Sequence, residues 1–135
     1  MKIIIETIPH DHHRYDTVGD WQWLGDELHI KVSEMEDWRH EALVGIHEAV
    51  EALICKQDGV TEASVDKFDM DPLMSKDCAR LDIEPGDHPN APYKTQHCVA
   101  TGVERMLCAA LGVDWYEYEG ELDDLSVKPD RGGNA

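Results

Sequence analysis

Between residues 34 and 57 the apolar side chains Leu43, Ile46, Val50, Leu53 and Ile54 recur at helical spacing, and Gly59 follows as a stop signal. A stripe of that length predicts one long amphipathic helix running from about Glu34 to Gln57. Ser33 and Glu36 read as an S-x-x-E capping box at its start. Such a helix must bury its stripe against other elements. The 135 residues, 41% of them hydrophobic, suffice for one core but not for two independent ones. A single domain is expected over residues 1–125, followed by a flexible tail at 126–135.

The flanking segments indicate the partners. KIIIETI (2–8) is rich in β-branched residues and predicts a strand. In DWQWLGDELHIKVS (20–33) the alternation of Trp21 and Trp23, a Gly25-Asp26 turn and the alternation of Leu28, Ile30 and Val32 predict a hairpin. Thr61 opens a short second helix to Asp69. Residues 70–90, with Pro72, Pro85, Gly86 and Pro89, read as irregular chain. Asn90 caps a second long helix that tolerates Pro92 in its first turn and ends near Leu111 and Gly112. WYEYEGELDD (115–124) fits either a strand or a helical turn. The expected class is α+β: a small N-terminal antiparallel sheet packed on two long helices.

Each long helix carries a polar row at the margin of its apolar face. On the first, His40, His47 and Glu51 fall within about 40° of one another. On the second, His97, Thr101, Glu104 and Cys108 line up. Burying unpaired carboxylates costs several kcal/mol, roughly, unless a charge compensates them. A divalent cation would do so. His47 and Glu51 stand one turn apart, about 6 Å, and can share an ion, whereas His97 and Glu104 stand two turns apart, about 10 Å. The predicted metal ligands are therefore His47, Glu51 and His97, with zinc the expected ion and Glu104 in reserve as ligand or as a partner that orients one. The competing account of His47 and Glu51 is a hydrogen-bonded i,i+4 pair. For His40 it is a surface histidine, and for Cys108 a small buried hydrophobe. Asp66, Asp69 and Asp71 lack the EF-hand pattern and read as a solvated, helix-capping cluster. His10, His12 and His13 read as a loop.

His47-Glu48-Ala49-Val50-Glu51 reads H-E-x-x-E. It resembles the zincin helix H-E-x-x-H with glutamate in place of the second histidine. The resemblance covers about residues 28–110 and implies a metal-dependent hydrolase in which Glu48 is the general base. Glu48 and Glu51 also partly match the E-E-x-x-E of MazG-type nucleotide pyrophosphohydrolases, which hold magnesium. In that pattern His47 replaces the first glutamate, and Leu107 stands where an aspartate should follow Glu104. RYDTVGDW, IHEAVEALICKQDGV with VDKFD, and HPNAPYKTQHCVATGVERMLCAALGVDW resemble small uncharacterised phage and prophage proteins. That likeness implies a host-cell cytoplasmic setting and brings no known activity.

Twelve basic against 29 acidic residues give a net charge of −17. Such a field repels phosphate backbones and anionic lipids, so no nucleic-acid or membrane partner is expected. The four cysteines lack CxxC spacing, and only three isoleucines separate Lys2 from Glu6, so a reducing cytoplasm is the expected setting. The substrate would be a small molecule or a peptide. A third reading is a non-enzymatic acidic phage accessory protein that binds a host protein.

Overall fold

The structure is a computed structural model that describes residues 1–126. The tail at 127–135 lies outside the described residues, and Ser126 is the last residue of a helix. Strands β1 (Lys2–Ile8), β2 (Gly19–Leu24) and β3 (Glu27–Ser33) precede helices α1 (Trp38–Asp58), α2 (Glu62–Asp69), α3 (Pro72–Leu81), α4 (Lys94–Ala110) and α5 (Trp115–Ser126). The class is α+β.

The strand order is β1-β3-β2. The hairpin forms as its alternation requires, with Gly25 at φ 64° in the two-residue turn. β3 is central, and Leu28, Ile30 and Val32 are fully buried on its helix-facing side. The sheet is not purely antiparallel, because β1 runs parallel to β3. A parallel neighbour needs a crossover. Residues 9–18 and β2 supply it by carrying the chain to the far edge before β3 returns through the middle. Side-chain alternation reports which face is buried and is blind to strand direction.

α1 lies across β2 and β3 and packs along its other flank on α4. Leu43, Ala52 and Cys55 are fully buried in that sandwich. The helix starts four residues later than its sequence suggested. Asp37 is the cap, accepting from the Arg39 amide at 2.9 Å. Ser33 ends β3 instead, its hydroxyl taken by His10 Nδ1 at 2.8 Å and His13 Nε2 at 2.9 Å. Gly59 closes α1 at φ 76°, a left-handed conformation that costs glycine little.

Two further boundaries differ from expectation and one open assignment resolves, each for local reasons. Residues 72–81 are helical, because Asp71 caps the Leu73 amide at 2.9 Å and Pro72 occupies the first helical position, where no amide is needed. α4 begins at Lys94, so Asn90 and Pro92 precede it and Asn90 caps nothing. The ambiguous 115–124 stretch is helix α5, since Asp114 Oδ1 accepts from the amides of Tyr116 and Glu117.

Candidate metal centre

α1 and α4 bring His47, Glu51, His97 and Glu104 into one buried cluster. His47 Nε2 lies 3.2 Å from Glu51 Oε2 and 3.1 Å from His97 Nδ1. His97 Nδ1 lies 3.0 Å from the same Glu51 oxygen. Three donor atoms thus form a nearly equilateral triangle. Zinc bonds of 2.0–2.1 Å at tetrahedral angles place ligand atoms about 3.3 Å apart. These side chains could hold such an ion with only small adjustments. Hydrogen bonding satisfies the triangle less well. Two imidazole nitrogens face each other across one carboxylate oxygen, and protonating both sets two positive charges side by side.

Glu104 does not join the triangle. Two turns along α4 from the level of Glu51's contact, it lies behind His47, with Oε1 at 2.7 Å from Nδ1. It holds the imidazole's outer nitrogen and thereby aims the inner one, as carboxylates behind metal-ligating histidines do. Tyr118, fully buried on α5, donates to the other Glu104 oxygen. Trp21 Nε1 donates to Glu51 Oε1 at 3.1 Å, fixing the carboxylate plane. His97 is steadied from the loop before α4. Its Nε2 lies 3.2 Å from Glu84 Oε2, in an ion-pair contact not aligned as a hydrogen bond, and 3.7 Å from Asp87 Oδ1, beyond hydrogen-bond distance. The backbone at Gly86 lies flat against its ring, where an added Cβ would stand 2.2 Å from Cγ.

The electrostatics follow from this crowding. Burial alone would push the His47 imidazolium down. Contacts with Glu104 and Glu51 outweigh it and hold its pKa up at about 11. His97 is likewise raised to about 10, burial being overcome by Glu51 and Glu84. Glu51 is held down at about 2, because the two histidines outweigh its burial. Glu48 moves the opposite way. Burial, then the Glu51 charge, push its carboxyl well above the usual carboxylate range. Its Oε2 is 3.9 Å from His47 Nε2. His47, Glu48, Glu51 and His97 all line a cavity of about 890 Å³.

The other sequence candidates take separate structural roles. His40 is neither a ligand nor a surface group: it is buried, pairs with Glu121 at 2.5 Å and packs against Tyr118. Cys108 is buried, with Sγ 3.2 Å from the Val113 carbonyl. Asp71 caps α3. Asp66 and Asp69 are partly buried and bonded rather than solvated. Arg14 bridges Asp66 and the buried Asp20, and Tyr15 and Tyr93 donate to Asp69. Tyr118, Trp21, Glu84 and Gly86 escaped the sequence reading. The inward-facing alternation of Trp21 on β2 was the one available signal for any of them.

Among the described residues, no helix is long and apolar enough to cross a membrane. Comparison with known proteins finds no matching family model, no similar curated protein and no similar solved structure.

Proposed function

We propose that this protein binds zinc through His47, Glu51 and His97 and is a metal-dependent hydrolase in which Glu48 moves the proton. The observation that carries the reading is the triangle of donor atoms 3.0–3.2 Å apart, bordering a large cavity with the largely buried Glu48 carboxyl beside it. Two imidazoles and one carboxylate make up a donor set used by catalytic zinc sites that keep a position open for water. When bound, the ion supplies Lewis acidity and lowers the pKa of coordinated water. Glu48, lifted above its usual range, is suited to accept a proton and return it to a leaving group. Glu104 and Tyr118 keep the His47 ring aimed. The layout also supports the reading: a strand pair, then the helix carrying H-E-x-x-E, then a later helix carrying the third ligand. The cavity wall is acidic, with Asp16, Glu62 and Asp69 among its lining, which favours neutral or cationic substrates over polyanions.

The test is elemental analysis of untagged protein purified without chelator, beside His47→Ala, Glu51→Ala. Near-stoichiometric zinc that the double variant loses is the expected result. Folded protein that stays metal-free after zinc or manganese is supplied overturns it. Hydrolysis is then tested on a panel of peptide and ester substrates. Glu48→Gln should keep the metal and lose about a hundredfold or more in rate.

A further inference from the structure

The two edges of the sheet are treated differently. On the β2 edge the Glu62 side chain reaches over from α2 and accepts from the Trp23 amide. Among the described residues nothing comparable covers β1. Lys2, Ile3, Ile5, Glu6 and Thr7 are exposed there. Ile3 and Ile5 stand beside Leu28 and Ile30 on the helix-facing side of the sheet, yet remain 40% and 43% exposed even though α1 touches Ile5 at Gly45. A long edge strand with free amides and partly exposed isoleucines is a template for another strand.

We propose that β1 pairs antiparallel with β1 of a second copy of this chain, joining two three-stranded sheets into one of six. Two independent constraints select the register. The Lys2 amide donates to the Asp26 carbonyl and the Ile8 carbonyl accepts from Glu34, so the even-numbered residues turn their backbone groups toward β3. Ile3, Ile5 and Thr7 therefore present theirs to the open edge. Antiparallel hydrogen-bonded pairs must form among those three. Ile3 opposite Ile5 of the other copy is one such arrangement, and it is centred on Ile4. That arrangement alone also sets Lys2 opposite Glu6, twice, on the other face of the sheet. It covers Ile3 and Ile5 with each other's side chains and places each exposed charge across from its opposite. Shifting the pairing by two residues keeps the backbone bonds and loses both ion pairs.

The test is sedimentation of the full chain at physiological salt. Wild type is expected to dimerise. Lys2→Glu and Glu6→Lys should each weaken the dimer about tenfold or more, by setting like charges opposite one another. Glu6→Lys is the sharper variant. It reduces the chain's net negative charge, so general repulsion would predict a stronger dimer, whereas the register predicts a weaker one. Mixing the two variants should restore association as a heterodimer, since each then meets its complement. The restoration also shows that both remain folded. A wild type that is monomeric at its highest soluble concentration overturns the proposal. So does a dimer indifferent to both substitutions, or a mixture that fails to associate.

Discussion

Two charge clusters, one buried and one partly exposed, face the same cavity and are balanced in opposite ways. At one end Arg14 donates to Asp20 at 2.7 and 2.9 Å and to Asp66 at 2.9 Å through two nitrogens, a permanent cation between two carboxylates. At the other, among the described residues, the cations facing Glu51 and Glu104 are imidazoles. Arginine cannot give up its proton, so the first cluster is complete within the chain. A histidine can exchange its proton for a metal, so the second is complete only with protons or with an ion. The difference separates a cluster that ties the segment before β2 to β2 and α2 from one whose side chains could hold an ion. Both are acidic in sequence. Only the nature of the cation distinguishes them.

The largest expected effect is on the second cluster. Chelation of the zinc-loaded protein should lower its stability by about 4 kcal/mol at free zinc a thousandfold above the dissociation constant, read as a fall in melting temperature. His47→Ala, Glu51→Ala should abolish that dependence. A melting temperature untouched by chelator and zinc would make the two clusters equivalent. Next comes Arg14→Met, which strands Asp20 with no partner charge. A loss of about 3 kcal/mol is expected in denaturant titrations, discounted for the partial exposure of Arg14 and Asp66. It should be the same with and without metal. If chelator changes the Arg14→Met penalty, the clusters are coupled through the cavity and the separation fails.

How far the sequence discloses this arrangement depends on what kind of neighbour each residue meets. His47 and Glu51 share one helix, so their spacing alone brings them within reach of one ion. His97 was recoverable because α4 repeats the same polar margin and α1 needs a long partner for its stripe. Glu104 was legible as a participant, but its place behind His47 depends on the axial offset of two helices, which periodicity does not encode. Tyr118 comes from a helix whose assignment was open, and Glu84 from irregular chain, as expected there, which carries no periodicity to place a side chain. The hairpin was plain from alternation and a turn glycine, whereas the parallel docking of β1 was invisible because strand direction leaves no mark on side-chain pattern. Helix α3 departs from the irregular chain expected over 70–90, because Pro72 after a capping aspartate starts a helix rather than breaking one.

Smaller effects refine the contrast. Glu104→Gln keeps the shape behind His47 but removes the charge that makes its imidazole a strong donor. Zinc affinity should fall about 10- to 100-fold in competition titrations, with the metal stoichiometry at saturating zinc unchanged. A lost stoichiometry would promote Glu104 from positioning group to ligand.

The smallest effect lies at the margin of the Arg14 cluster. Asp69 accepts from Tyr15 and Tyr93 but, among the described residues, has no cation of its own, and burial is the main reason its pKa is raised to about 6. A carboxyl whose folded pKa lies above its unfolded value favours the folded state only while protonated. Its contribution is present below about pH 3.8 and is lost as pH rises through about 6. The wild type therefore carries a cost at neutral pH. Asp69→Asn removes the charge and leaves an oxygen and an amide for the two tyrosine hydroxyls. At pH 7 it should stabilise the protein by about 1 kcal/mol, the relief being partly offset by weaker hydrogen bonds. Between pH 4 and 6 the variant's advantage should grow with rising pH. Denaturant midpoints across that range read both features. An Asp69→Asn protein that is less stable at pH 7 would mean that Asp69 shares the Arg14 charge, and that this cluster holds three carboxylates with one cation.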